Sequence, residues 1–338
     1  MTGLSDPFNR PINYLRISVT DRCNLRCIYC LPAEGIDLLP QGEILTYEEI
    51  AVVARLASEL GINKLRLTGG EPLVRAGLQE LVAMLARIDG IDDISLTTNG
   101  VLLKEYAGEL KGAGLKRVNV SLDSLNRDKF ERIARHNKLS EVLQGIEAAK
   151  ACGLNPVKIN MVVMRGINDD EIGDFAKLTI NDGWHVRFIE LMPFSTDNPP
   201  DGHSIGGKAA LHSQFMPADE IKERLSGLGK LKPSLPITGN GPAKYFRFPQ
   251  AGGTVGFITP VSQHFCFNCN RLRLTAEGKL RPCLLSDREV DLRRPLRSGA
   301  SPEELKKVIT DAIQSKPQKH QLPQGQVSRK RLMSQVGG

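Results

Sequence analysis

Three cysteines stand close together at Cys23, Cys27 and Cys30, in the segment CNLRCIYC. Thiolates favour soft metals and iron–sulfur clusters, and a four-iron cluster usually takes four cysteines. A local set of three would leave one iron without a protein ligand, and such an open position lets a catalytic metal site accept a small molecule. A zinc knuckle is the plainer alternative, but neither His nor Asp follows at ligand spacing. The segment therefore predicts a catalytic iron–sulfur cluster.

A second set of cysteines comprises Cys266, Cys269 and Cys283. From spacing alone, a zinc ribbon with His264 as the fourth ligand remains open. The alternative is a second cluster with an open iron. The strand that follows Cys269 supports this alternative, because it places Arg271 and Arg273 on one face, as the wall of a substrate site would.

Four predicted strands each carry one cation between two apolar residues. These cations are Arg16, Arg66, Lys158 and Arg187. Side chains alternate across a strand and the helix-facing side must be apolar, so we expect the cations to point to the opposite face. Buried cations need anionic partners, and acids on these faces are few. With Arg271 and Arg273 the set suits a triphosphate ligand, whereas a nucleic-acid groove would need cations among aromatics, which are only 5% of the chain.

The stretch from residue 14 to 192 alternates short β-branched strands with amphipathic helices. The predicted strands cover 14–20, 64–69, 93–98, 117–122, 157–163 and 185–191. The predicted helices cover 46–61, 77–88, 101–113, 139–152 and 169–181. Six βα units in a row predict a parallel sheet, although alternation alone leaves a partial barrel and an open sheet equally possible.

The remaining chain predicts a smaller α+β region. Helices are expected near 217–227 and at 302–314, and strands near 244–248, 254–259 and 271–275. We expect three parts: a barrel over 1–194, a C-terminal domain over 195–315 that carries the second cysteine set, and a basic tail over 316–338. Residues 195–215 are rich in Gly, Pro and Ser and are predicted to be a linker.

Composition limits the class of protein. The chain has 338 residues, of which 41% are apolar and 25% charged, as in ordinary globular proteins. The sequence shows no apolar run of membrane-spanning length and no secretory signal, so we expect a cytoplasmic protein whose seven cysteines stay reduced. The net charge of +7 admits nucleic acid, an anionic membrane or a polyanionic small molecule, and the inward cations favour the last of these.

The first cysteine set, with GGEP at 69–72 after the second strand, resembles the radical S-adenosylmethionine superfamily. With the second set, the NRLRLT strand and the terminal Gly337-Gly338 added, the chain resembles the GTP 3′,8-cyclase family from about Asn13 onwards. The resemblance implies a partial six-stranded (β/α)6 barrel with a C-terminal α+β extension and a site at the carboxyl ends of the strands.

The resemblance also implies a set of roles. Two [4Fe–4S] clusters and S-adenosylmethionine would be the cofactors, with one cluster on each cysteine set. The expected cofactor contacts are Tyr29, Gly70, Glu71, Ser121 and Met192. The expected GTP contacts are Arg16, Arg66, Thr97, Lys158, Arg187, Arg271, Leu272 and Arg273. The expected catalytic residues are Arg271, Arg273 and the tail residues Gly337 and Gly338.

The implied reaction is radical and intramolecular. A hydrogen atom leaves ribose carbon 3′ of GTP, the sugar radical adds to guanine carbon 8, and one electron and a proton complete the cyclic dihydroguanosine triphosphate. This would be the first step of molybdenum cofactor biosynthesis. The implied partners are a flavodoxin or ferredoxin as electron donor, the downstream cyclic pyranopterin phosphate synthase, and a second copy of the chain in a homodimer.

Two alternatives stay open at this point. A radical enzyme that modifies a peptide would carry the same cysteines, but it would need an open acidic or apolar channel instead of inward cations. A zinc or nucleic-acid-binding protein without enzymatic activity is the other alternative.

Overall fold

The computed structural model describes residues 3–192, 213–239, 241–320 and 331–337. The strands are β1 (Tyr14–Ser18), β2 (Lys64–Thr68), β3 (Asp93–Thr98), β4 (Arg117–Ser121), β5 (Lys158–Val163), β6 (His185–Glu190), β7 (Lys232–Pro233), β8 (Lys244–Arg247), β9 (Thr254–Ile258), β10 (Arg271–Leu274), β11 (Lys279–Arg281) and β12 (Val290–Asp291). The α-helices are α1 (Tyr47–Glu59), α2 (Leu78–Ala86), α3 (Leu103–Gly112), α4 (Arg127–Ala134), α5 (Leu139–Ala151), α6 (Ile172–Asn181), α7 (Ala218–Arg224), α8 (Arg293–Arg297), α9 (Pro302–Gln314) and α10 (Met333–Val336).

The first six strands form a parallel sheet in sequence order, with helices in the connections. Strands β1 and β6 do not pair with each other, so the barrel is partial. The predicted α/β class and the six-stranded partial barrel are confirmed. Local signals explain the helix starts: the Thr46 hydroxyl caps α1 by accepting from the Glu49 amide at 3.2 Å, and the Glu49 carboxylate accepts from the Thr46 amide.

Apolar side chains on one face of each strand pack against the helices. In β1 and β2 the residues that flank the cations, such as Leu15, Ile17 and Leu65, are fully buried in the core. Because side chains alternate along a strand, Arg16 and Arg66 point to the other face, into the barrel. The two arginines are direct neighbours in the register of β1 and β2.

Strands from the second half of the chain extend both edges of the barrel sheet. On one edge β10 lies parallel to β1, and on the other β9 lies parallel to β6. Antiparallel strands continue outward from each of them. The predicted C-terminal α+β extension is therefore built onto the barrel sheet itself. No helix among the described residues is long and apolar enough to cross a membrane.

Several elements were missed from sequence. Helix α4 has a strongly charged sequence in which only Phe130, Ile133 and Ala134 are buried. The two short strands β11 and β12 and the tail helix α10 are too brief to show a periodic pattern, and tertiary pairing and packing define them.

Candidate active site

The first cysteine set follows β1 and lies at the carboxyl end of the barrel. Cys23, Cys27 and Cys30 line one cavity together with residues from the ends of several strands, and we call this the cysteine-loop cavity. Its other polar and expected cofactor-contact residues include Tyr29, Thr68, Gly70, Thr97, Ser121, Asp123, Asn160, Met192 and Ser334. The position agrees with the general rule that parallel barrels place their sites at this end.

The donors around the three thiols fit an iron–sulfur cluster. The Leu25 amide donates to Cys23 Sγ at 3.4 Å, and the Asn99 side-chain amide donates to the same sulfur at 4.0 Å. Such hydrogen bonds to sulfur are typical of cluster sites. Among the described residues no three His, Cys, Asp or Glu side chains are placed to hold one metal ion. A four-iron cluster instead spreads its cysteines over separate irons.

Burial is the main cause of the raised pKa values of the thiols in the cysteine loop. It raises the pKa of Cys23 to about 11 and that of Cys30 to about 12, and negative charge on Glu71 and on Cys23, respectively, adds to these rises. A positively charged iron centre would remove this penalty, because a coordinating thiol is deprotonated outright.

The GGEP turn brings two backbone segments together. A Cβ on Gly70 would lie 2.3 Å from the carbonyl oxygen of Arg22, and the Gly70 amide donates to the Thr20 carbonyl at 2.8 Å. Gly70 is one of the expected contacts to S-adenosylmethionine. The structure shows a close approach between the GGEP turn and the segment that leads into the cysteine loop, and Gly70 also lines the cavity.

Glu71 is another of the expected cofactor contacts. Its buried carboxylate instead accepts from neutral donors: the Thr98 hydroxyl at 2.7 Å, the Asn99 amide at 2.6 Å and the Leu73 amide at 3.0 Å. Burial raises its pKa to about 7, and these hydrogen bonds oppose that rise. Glu71 therefore stabilises the turn after β3. It is not among the described residues that line the cysteine-loop cavity.

Replacing Gly70 by alanine is expected to distort the cysteine loop, because backbone atoms of Arg22 would lie closer to the new Cβ than real contacts allow. We expect lower iron content and a weaker affinity for S-adenosylmethionine, measured by iron assay and equilibrium binding. Gly108, in the exposed middle of α3 with no atom near its would-be Cβ, is the matched control. There alanine should stabilise the fold by about 1 kcal/mol. A Gly70→Ala protein with normal iron content and normal affinity would contradict this account.

The second cysteine set lies at the opposite end of the barrel. Cys266 and Cys269 precede β10, which runs parallel to β1, and Cys283 follows the antiparallel β11, so all three lie near the amino ends of the barrel strands. They line a second cavity with Arg16, Arg66, Arg187, Arg271 and Arg273, which we call the arginine cavity. No Asp or Glu is among the described residues that line it.

The cations in this cavity repel one another. Burial lowers the pKa of Arg16 to about 9, and the charges of Arg66 and Arg271 contribute. Burial and then Arg16 lower the pKa of Arg273. Burial alone would raise the pKa of the Cys269 thiol, but Arg271 and Lys316 lower it to about 6. The repelling arginines favour binding of an anionic ligand, and the lowered pKa of Cys269 favours a thiolate that can hold a cluster.

Two of the expected GTP contacts lie elsewhere. The buried Lys158 amine donates to the carbonyl of Thr238 and does not line the arginine cavity. Leu272 faces the helix side of β10 and is buried in the apolar core, so only its backbone could meet a ligand. Arg187 does line the cavity, and its guanidinium donates to the Asn119 side chain.

The two cavities meet inside the barrel. Thr97, Asn160, Ile189 and Met192 line both of them.

The C-terminal tail contacts one of the cavity arginines. Arg273 Nη1 donates to the Gly337 carbonyl at 2.6 Å, and Val336 is buried. Gly338 lies outside the described residues.

Sequence reasoning missed several residues of the site. Asn160 shares strand parity with Lys158, so its inward position could have been predicted. Lys316 lines the arginine cavity and donates to the Arg271 carbonyl at 2.8 Å, but it was grouped with the tail. Arg117 is a further buried cation that lies outside both cavities, and it forms an ion pair with Asp93 on the neighbouring strand. No pattern in the sequence connects Lys316 with the arginine cavity.

A parallel partial barrel with a three-cysteine loop at its carboxyl end defines the radical S-adenosylmethionine superfamily. The model of this superfamily matches residues 17–179, and a model described as Molybdenum Cofactor Synthesis C matches residues 184–322. The crystal structure of SuiB from Streptococcus suis bound to S-adenosylmethionine shares the fold, with a TM-score of 0.60 and 15% identity over 91% of this chain and 68% of that chain.

Curated relatives give the particular family. The GTP 3′,8-cyclase of Pelotomaculum thermopropionicum is 54% identical over 99% of this chain and 100% of the relative. The GTP 3′,8-cyclase of Moorella thermoacetica is 52% identical over 99% of this chain and 100% of the relative. The chain belongs to the GTP 3′,8-cyclase family.

Proposed function

We propose that the chain converts GTP to (8S)-3′,8-cyclo-7,8-dihydroguanosine 5′-triphosphate, the first step of molybdenum cofactor biosynthesis. The observation that carries this proposal is the arginine cavity, where five arginines, three of them buried, and no acid are among the described residues that line it, with one set of three cysteines in its wall and the other in the adjoining cavity. When bound, a cluster on Cys23, Cys27 and Cys30 and S-adenosylmethionine supply the electron and the adenosyl radical that start the reaction at ribose carbon 3′. The second cluster would be held by Cys266, Cys269 and Cys283.

The arginines bind and orient the triphosphate. Arg16, Arg66 and Arg273 come from adjacent strands, so their guanidinium groups form one wall. Arg271 Nη2 donates to Cys269 Sγ at 3.7 Å, which supports a role for Arg271 between the second cluster and the substrate. Thr97 lies where the cavities meet, between cofactor and substrate. A GTP contact through Lys158 requires release of the Thr238 carbonyl, which now accepts from the lysine.

The cofactor side of the site uses smaller groups. The Tyr29 hydroxyl donates to Asp123 at 2.7 Å, and Asp123 also accepts from the Val162 amide. This pair fixes the cysteine loop to the end of β4. Ser121, Gly70 and Met192 then contact S-adenosylmethionine in this proposal. The buried walls of both cavities exclude water from the radical.

The partners belong to the same proposal. The electron donor is a flavodoxin or ferredoxin, and the product passes to a cyclic pyranopterin phosphate synthase. The chain is a homodimer with a barrel (1–194), a cluster-bearing domain (195–315) and a tail (316–338). The compartment in this proposal is the cytoplasm, where thiols stay reduced.

Anaerobic turnover with GTP, S-adenosylmethionine and dithionite tests the proposed reaction. We expect cyclic product and 5′-deoxyadenosine in comparable amounts, separated by chromatography, and neither when GTP is replaced by ATP. Formation of 5′-deoxyadenosine with a peptide in place of GTP would instead favour the peptide-modifying alternative.

The two cysteine sets predict two clusters. The reconstituted protein should bind about eight irons if both are of the four-iron type. Replacing Cys266, Cys269 and Cys283 together by alanine should halve the iron and leave S-adenosylmethionine binding intact, since the sets lie at opposite ends of the barrel. Replacing Cys152, which packs against the core and lines neither cavity, should change neither value. Zinc at the second set, or loss of all iron in the triple variant, would contradict this prediction.

A further inference from the structure

The tail forms a short helix that covers the cysteine-loop cavity. Helix α10 spans Met333–Val336, and both Met333 and Ser334 line the cavity beside the three cysteines. Helix α10 therefore lies beside the thiols that would hold the first cluster. This segment is distant in sequence from the barrel motifs, and none of the sequence patterns predicted it at the cofactor site.

The hydroxyl of Ser334 has no hydrogen-bond partner among the residues that the structure describes. Ser334 is only 2% exposed, and its Oγ is buried without a hydrogen bond. A buried hydroxyl without a partner costs free energy, and most such groups are satisfied by protein, water or ligand. Because Ser334 lines the cavity that also contains Gly70 and Ser121, a ligand in that cavity is within its reach.

Ion pairs fix the start of the same segment. Arg331 forms ion pairs with Glu277 and Glu289, and its Nη2 donates to Glu289 at 2.9 Å. Burial alone would raise the pKa of Glu289, but Arg331 and Arg281 lower it to about 2, so the carboxylate is ionised throughout the useful pH range. Arg281 is fully buried and also donates to the Ser286 carbonyl, near Cys283. The anchor therefore connects the tail to the loop of the second cysteine set.

We propose that α10 is part of the S-adenosylmethionine site, with the Ser334 hydroxyl as a hydrogen-bonding contact to the cofactor and Arg331 as the positioning residue that holds it there. The inference rests on the proposed function, since it takes S-adenosylmethionine as the occupant of the cysteine-loop cavity. It gives the tail a role in binding the cofactor, separate from the role of Gly337 beside the substrate cations. Docking of the tail and binding of the cofactor then favour each other.

Equilibrium binding of S-adenosylmethionine to the reconstituted protein tests this inference. Ser334→Ala should weaken binding by about 3- to 10-fold, the usual effect of one neutral hydrogen bond. Arg331→Ala should weaken it at least as much. The Arg331→Ala/Ser334→Ala double variant should bind no more weakly than Arg331→Ala alone, because both changes remove the same contact. Ser140→Ala, at an exposed serine on α5, is the matched control and should bind normally.

Hydrogen exchange gives a second measurement that does not depend on catalysis. Adding S-adenosylmethionine to the unmodified protein should slow exchange at the amides of 332–337, and the slowing should be smaller in Ser334→Ala. Unchanged affinity in Ser334→Ala, or exchange at 332–337 that does not respond to S-adenosylmethionine, would overturn the inference while leaving the proposed reaction intact. An unmodified protein that does not bind S-adenosylmethionine at all would instead refute the proposed function.

Discussion

Replacing Gly337 by alanine is expected to abolish cyclic product while both clusters remain. Gly337 has a φ of +67°, and a Cβ there would lie 2.5 Å from Thr68 Cγ2, closer than real contacts allow. Its carbonyl accepts from Arg273, one of the proposed triphosphate ligands, so a shift of the tail would also move a substrate contact. Deleting Gly337-Gly338 should have the same effect. Product is measured by chromatography and cluster content by iron assay.

The matched control separates backbone strain from crowding. Gly299 has a similar φ of +77°, but no atom lies within 4 Å of its would-be Cβ. Gly299→Ala should lose about 1–2 kcal/mol of unfolding free energy and still form product at the unmodified rate. If Gly337→Ala also forms product at that rate, the tail has no part in the reaction. Loss of iron together with product would show a general failure of folding.

Replacing Arg66 by alanine is expected to weaken GTP binding by about 30-fold or more, the effect of losing a buried charged contact of at least 2 kcal/mol. Arg66 is buried, lines the arginine cavity and donates to Ser95 Oγ at 3.2 Å. It lies away from the cysteine loop, so S-adenosylmethionine affinity should stay unchanged. Without ligand the variant should be at least as stable as the unmodified protein, because one of several mutually repelling buried cations is gone.

Arg117→Ala is the contrasting variant. Arg117 is equally buried, but it is already paired with Asp93 and does not line the arginine cavity. Its removal leaves a carboxylate without its partner and should cost about 3–5 kcal/mol of unfolding free energy, with GTP affinity little changed. Equal losses of affinity for GTP and S-adenosylmethionine in Arg66→Ala would argue against a triphosphate site, since a general disturbance of the barrel would explain them.

Local patterns were sufficient for the barrel. The aliphatic residues around Arg16 and Arg66 determined which face of each strand packs against the helices. The cations therefore point to the opposite face, into the barrel. Capping at Thr46 and the spacing of Cys23, Cys27 and Cys30 are also local, so they are readable without a fold. The six-stranded parallel arrangement followed from the repeated βα units.

Contacts between distant segments needed the tertiary structure. The second cysteine set lies at the amino end of the barrel because β10 pairs in parallel with β1, a partner far away in sequence. The Lys158 amine donates to the Thr238 carbonyl, and the Glu71 carboxylate accepts from the Thr98 hydroxyl. Both partners come from segments distant in sequence, so the sequence did not predict these contacts.

The tail shows the same division most clearly. The sequence by itself determined that Gly337 and Gly338 could enter a crowded pocket, since glycine alone lacks a Cβ. It did not determine where Ser334 and Arg331 would lie, because a four-residue helix carries no periodic signal. Their positions depend on ion pairs to Glu277 and Glu289 and on burial against the barrel, which exist only once strands, loops and tail have assembled.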